Sequence, residues 1–192
     1  MPTTTLYRMA GVAGLLSALV LLLNLSRRTG IVADIEAVRA VAPLAGVLGL
    51  FALGGLYLRY ARHTGSLGTI GFGLNLAGLA GVVGVEYVTN YVFPFLPADE
   101  VTTLTDGFTG TMFLVTSVVF LLGVVTFAVA LWRSRDVPPA LTIGYGLAFT
   151  LVALRPILPE VVYHAGLLLG VVALAWLAVH LIRHAVEPAP EP

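Results

Sequence analysis

The sequence predicts an all-α fold, a bundle of six membrane-spanning helices with the amino and carboxyl ends both cytoplasmic. Three observations predict it. Of the 192 residues, 58% are hydrophobic and only 10% charged, against about 25% charged in an ordinary soluble domain. Six apolar segments, at 6–26, 40–60, 67–93, 109–132, 139–154 and 161–182, approach the roughly 20 residues needed to cross a hydrocarbon core about 30 Å thick. The short alternating segments of a barrel are absent, which leaves the helix as the way to satisfy backbone polar groups within lipid.

The first segment follows a short polar lead containing Arg8 and ends in Asn24-Leu25-Ser26-Arg27-Arg28. That ending has no small-x-small cleavage site, so the segment reads as a retained span and not a removed signal. Between the second and third segments, Gly65-Ser66-Leu67-Gly68 reads as a short polar turn. The fifth segment stops where Arg155 precedes Pro156, because proline disfavours helical geometry in the residue before it. About 16 residues from Pro139 reach only about 24 Å, so the join at 155–159 either dips into the outer leaflet, as beside transporter sites, or is a tight turn in a thinned bilayer. Residues 1–186 are read as one membrane domain and 187–192, which alternate Glu, Pro and Ala, as a disordered tail.

Arginine placement orients the bundle. Arg8, Arg59, Arg62, Arg133, Arg135 and Arg183 fall on one side, while Arg27, Arg28, Arg39 and Arg155 fall on the other beside Asp34, Glu36, Asp99, Glu100, Asp106 and Glu160. The positive-inside bias makes the first side cytoplasmic, with the joins at 27–39, 93–108 and 155–160 facing outward. Trp132, Trp176, Tyr57 and Tyr60 then belong near the inner interface.

The third segment has two faces. At 100° per residue, Gly73, Ala77, Ala80, Gly81 and Gly84 share one side, expected to meet another helix closely. Asn75, Glu86, Thr89 and Asn90 form a stripe opposite. Glu86, about 10 Å inside the outer end, is the one carboxylate within this apolar run. A charge at mid-helix costs roughly 2.5 to 3.5 kcal/mol, so it calls for a partner. The topology offers Arg155 as that partner, with Tyr163 and His164 in the first turn of the sixth segment beside it. Two readings stay open. One is an outer-leaflet polar cavity for a ligand, with Asn75 and Asn90 lining it, Glu86 as a proton or cation acceptor and Arg155 as an anion or headgroup contact. The other is a structural ion pair joining the third, fifth and sixth helices.

Small residues recur at Thr109, Thr116, Gly123 and Ala130, and Gly166 and Gly170 form a GxxxG; these predict helix packing within the bundle or between membrane subunits, including further copies of the chain. Membrane lipids are the other expected partners, and balanced charge gives no reason to expect nucleic acid. No cysteine and no lysine occur, which removes thiolate metal sites, thiol redox chemistry and Schiff-base attachment. His180 and His184 share a helical face near His63, yet without a nearby acid they read as interfacial side chains, and no metal or cofactor is expected. The His-Glu-x-x-His and Gly-x-Ser-x-Gly signatures are absent; no catalytic residue is assigned, although a lone Glu86 would serve an intramembrane enzyme as a general base.

Leu56-Tyr57-Leu58-Arg59-Tyr60, Glu86-Tyr87 before Phe93-Pro94, and Trp132-Arg133-Ser134-Arg135 before Pro138-Pro139 resemble uncharacterised small multi-pass membrane proteins of high-GC bacteria. The resemblance implies a bacterial cytoplasmic membrane and carries no reaction. The leading expectation is a protein that binds or transports a small or lipophilic ligand. The alternative is a structural or regulatory subunit of a larger membrane complex, and the third an enzyme using Glu86.

Overall fold

The computed structural model describes residues 3–185, so the tail at 187–192 lies outside the described residues. Seven α-helices and one 3₁₀ turn account for nearly all of them: α1 (Thr3–Arg28), α2 (Glu36–Val41), α3 (Leu44–Tyr91), α4 (Ala98–Asp106), α5 (Phe108–Ser134), α6 (Pro139–Ala153) and α7 (Glu160–Arg183), with the 3₁₀ turn at Phe93–Phe95. Four of these helical stretches are long and apolar enough to cross a membrane, and α6 is a shorter apolar helix.

α3 is two limbs, 44–64 and 66–91, that reverse at Gly65. Gly65 has φ 59° and ψ −158°, a conformation open essentially to glycine alone. The join expected at Gly65-Ser66-Leu67-Gly68 therefore contracts to one non-helical residue. Across the hairpin Tyr57 stacks on Phe72 with ring centroids 4.1 Å apart, and its hydroxyl lies 3.0 Å from Thr69 Oγ1. Gly46 and Gly49 face Val83 and Leu79 farther up.

Six helical limbs close into a ring. α1 packs on α7 and on limb 44–64, limb 66–91 packs on α5, and α6 bridges α5 to α7. The tightest seam is that of limb 66–91 with α5. Gly71 and Gly78 lie against the backbone at Phe127 and Phe120, and Gly123 against the backbone at Asn75. The contact face of this limb is thus Gly71, Asn75 and Gly78, not the small-residue face expected from the sequence. Gly73, Ala77, Ala80 and Gly84 are exposed, with open space beside Gly73 and Gly84; of the three glycines in that set only Gly81 meets a neighbour, Thr116. The physical reason is that the buried amide of Asn75 has a partner inside the ring, whereas small apolar residues are no worse against lipid than against protein. The stripe on α5 does face its neighbour, and Gly166 and Gly170 sit against α6.

Beside an apolar core that holds Phe127, Leu131 and Leu141, burial departs from that of a water-soluble bundle in two ways. Leu19, Phe51, Leu114, Leu147 and Val172 are half or more exposed, while Ser17, Asn24, Asn75, Asn90 and Thr142 are buried. Ser17 Oγ donates to the Ala45 carbonyl at 2.6 Å, joining α1 to α3. The Asn75 amide donates to the Tyr145 hydroxyl, joining limb 66–91 to α6.

The two ends of the ring differ in character. At one end, Arg59 lies 5.6 Å from the Tyr7 ring, His63 Nδ1 is 3.2 Å from Asp136 Oδ2, and His180 Nε2 is 3.1 Å from the Tyr60 hydroxyl. Tyr60 is consequently buried rather than placed in an interfacial belt, whereas Trp132 and Trp176 are half exposed. Gly11 of α1 contacts Ile182 of α7, so the first and last described helices begin and finish at this same end. The opposite end gathers the joins at 29–35, 92–107 and 154–159.

Candidate functional site

The site is built where α1 runs out. Arg27 and Arg28 occupy its last turn, where cations are favoured by the helix dipole and where three loops converge. Arg27, with a side chain only 10% exposed, is gripped from three directions. Its Nη2 donates to Asn24 Oδ1 and to Asn90 Oδ1, both at 2.9 Å, and its Nη1 donates to Asp34 Oδ1 at 3.1 Å. Asp34 in turn accepts from Arg39 Nε at 2.8 Å and Nη2 at 2.7 Å. The Arg39 hydrogen bonds, seconded by Arg27, hold the Asp34 carboxyl down at about 2. The same hydrogen bond to Asp34, with Glu36 nearby, pushes Arg39 further toward its charged form.

Asn90 passes the chain of contacts inward. Its amide nitrogen donates to Glu86 Oε2 at 2.9 Å and to the Glu86 carbonyl at 2.8 Å. The other carboxylate oxygen, Oε1, faces Arg28 Nη2 at 3.4 Å. This corrects the expected Glu86–Arg155 pair. Arg155 follows α6 at an exposed turn, with its guanidinium 5.1 Å from the Tyr163 ring centroid and no ion-pair partner among the described residues. Arg28 lies 5.8 Å from the same ring. Arg28 wins Glu86 because the last turn of α1 delivers its guanidinium directly beside limb 66–91, whereas the turn at Pro156 leaves Arg155 at the rim.

Except for Asn24, which faces the apolar space below, these groups line a bowl of about 900 Å³. Four guanidiniums, those of Arg27, Arg28, Arg39 and Arg155, stand against two carboxylates, Asp34 and Glu86. Helix α4 forms part of the wall through Ala98, Val101 and Thr105. Sequence reading leaves the join at 93–108 without structure, yet Pro97 with Asp99 and Glu100 in the following turn is a helix start signal.

Beneath the bowl an apolar seam of about 110 Å³ runs down the middle of the ring. Val82, Glu86, Phe120, Val152 and Tyr163 line both spaces and form the neck between them. Asn75 lines the seam beside Tyr145, about 16 Å along the helix from Glu86, so it is not a wall of the bowl. His164 stacks at a tilt on Tyr163, centroids 5.8 Å apart, and lines neither space. Of the expected site residues, the bowl therefore unites Glu86, Asn90, Arg155 and Tyr163. The residues the sequence reading left out are Asn24, Arg27, Arg28, Asp34 and Arg39. The signal for them was present: Arg27-Arg28 closes the first segment at the same end as Glu86.

Among the described residues, no group of three or more His, Asp or Glu side chains could hold a metal ion. His63 faces Asp136, and His180 and His184 stack with centroids 4.4 Å apart. Fold and site together define an all-helical protein, four of whose helical stretches are long and apolar enough to cross a membrane, with an arginine-lined bowl over an apolar seam. No family model, curated protein or solved structure matches the chain.

Proposed function

We propose that this chain is a six-span protein of a bacterial cytoplasmic membrane, both ends cytoplasmic, that binds or moves a small or lipophilic ligand through the bowl on its outer side. One observation carries the reading: the charged bowl and the apolar seam adjoin at a neck of five shared wall residues, Glu86 and Tyr163 among them. A purely structural ion pair needs neither an open volume of about 900 Å³ above it nor an apolar space below. Both Glu86 carboxylate oxygens are engaged, by Arg28 and Asn90, which favours binding over general-base catalysis.

The test is native mass spectrometry of the gently purified full chain, alone and as Val82→Phe, which puts a ring into the neck. A small molecule or lipid retained by the parent and lost from a folded Val82→Phe chain is the expected result. Retention that ignores the neck, or none at all, removes the reading.

A second reading, a subunit of a larger membrane assembly or of a homo-oligomer, is favoured by the exposed stripe Gly73, Ala77, Ala80 and Gly84, since small residues let helices approach closely. Gly84→Leu separates the two: loss of an oligomer with the bound species retained assigns that stripe to assembly alone.

A further inference from the structure

We infer that the ligand is an amphiphile with one anionic head, phosphate or carboxylate, seated between Arg28 and Arg155, and with a single alkyl chain directed through the neck into the seam. This rests on the binding reading above and adds the sign of the head, the number of chains and the role of Glu86.

The sign follows from what the guanidiniums lack. Arg155 has no carboxylate partner among the described residues. Arg28 reaches Glu86 at 3.4 Å, well beyond the roughly 2.7–2.9 Å of a good charge-assisted hydrogen bond. The Nε atoms of Arg27 and Arg28 are buried without an acceptor, a condition that costs free energy until one is supplied. The side chain of Arg27 is nine-tenths buried, and both arginines line the bowl. Four cations, two anions and unsatisfied donors make a site for added negative charge; a cation would meet a guanidinium on most sides.

The chain number follows from the seam. Along α7 the space extends from Tyr163 to Leu181, about 27 Å at the helical rise, yet its volume is about 110 Å³ against about 900 Å³ for the bowl. So small an apolar volume beside the charged bowl leaves no room for the second chain of a two-chain lipid, and a single alkyl chain enters it only by parting the side chains along the seam. Tyr163 sits at the turn from head to chain, its ring beside both guanidiniums and its body in the apolar cluster with Leu25 and Leu167.

Glu86 then acts as a resident anion. It occupies Arg28 in the empty site and must yield when a ligand head arrives. This gives a sign opposite to that of a cation or proton acceptor, for which removing the carboxylate abolishes binding.

The experiment uses the full chain in phosphatidylcholine nanodiscs, with bound species counted by native mass spectrometry during titration. The probes are dodecyl phosphate, laurate, inorganic phosphate, dodecyltrimethylammonium and the two-chain anionic lipid dioleoyl phosphatidylglycerol. Dodecyl phosphate or laurate is expected to bind one per chain, and which of them binds more tightly identifies the head. Glu86→Gln is expected to tighten that binding about threefold or more, and Arg155→Ala, at an exposed position that spares the fold, to weaken it about tenfold. Loss of anionic binding in a folded Glu86→Gln chain, equal binding of the ammonium probe, or indifference to Arg155→Ala overturns the anionic head. Equal binding of inorganic phosphate or of the two-chain lipid overturns the single-chain seat. If no probe of any charge binds, this inference falls; the broader binding reading falls separately, on the neck variant and the co-purified species.

Discussion

Asn75 and Tyr145 show what a polar pair does inside a ring whose outside is apolar. Each is nearly fully buried, and the amide donates to the phenol across two helices. Asn75→Ala or Tyr145→Phe alone strands one polar group and is expected to cost about 1–3 kcal/mol, whereas the double variant costs clearly less than the sum. Unfolding titrations in mixed detergent micelles measure this; strict additivity would show that the pair is not coupled. Asp34 supports a second residue-scale prediction. Its folded carboxyl titrates near 2 against an ordinary 3.8. The clamp between Arg27 and Arg39 is therefore complete above about pH 4 and is lost as pH falls through about 2. Carboxyl-carbon NMR of the labelled chain is expected to place the Asp34 midpoint near 2, and Arg39→Ala to move it upward toward the ordinary value. A midpoint unmoved by Arg39→Ala would remove Arg39 as the main cause.

At the scale of elements, two glycines whose roles differ can be separated. An added Cβ at Gly78 would collide with the backbone at Phe120, while Gly73 has open space. Gly78→Ala is expected to destabilise by about 1–3 kcal/mol through overpacking, and Gly73→Ala to be neutral or to stabilise by up to about 1 kcal/mol through helix propensity. Comparable losses at both positions in the same titrations would restore the face expected from the sequence. Gly65→Ala has room for its methyl yet must adopt the left-handed φ of 59°, so a cost of about 1–3 kcal/mol is expected from backbone strain alone. Hydropathy and chain punctuation made most of the helices legible: the join at Arg155-Pro156 and the extents of α1, α5 and α7 lie close to their sequence-based limits. Facing was harder to read. Projection of limb 66–91 located the polar stripe correctly, but apolar periodicity is silent where lipid and protein are equally apolar, so the stripe of Gly73 and Gly84 passed for the contact face. The bowl was half legible for a related reason. Glu86 and Asn90 stand out within an apolar run, whereas Arg27, Arg28, Asp34 and Arg39 lie in a join, where charge is ordinary and only the fold makes it converge.

For the whole molecule, the ring places α1 and α7 antiparallel and returns both to the end that holds Gly65 and Asp136. If the bilayer surrounds the ring, the charged bowl must lie on one side and the hairpin tip on the other. The short α6 is the element most at odds with this, since its 15 residues span about 22 Å. The exposed turn that holds Arg155 and Ile157 would then sit below the level of the neighbouring joins, which sinks the bowl into the leaflet on its own side. The chain contains no cysteine, so single replacements can be labelled without background. Ile31→Cys and Ile157→Cys, at positions 80% and 75% exposed, are expected to react in intact cells with a membrane-impermeant maleimide. Ser66→Cys and Arg135→Cys are expected to react only after permeabilisation. Labelling of Ser66→Cys from the same side as Ile31→Cys would mean that α3 enters and leaves without crossing, and the six-span arrangement would fail with it. Slow labelling of Ile157→Cys relative to Ile31→Cys, relieved by charged lipid-free detergent, is the further signature of a sunken α6 turn. Equal rates at the two positions would set that turn at the surface and leave the bowl open to water along its full rim.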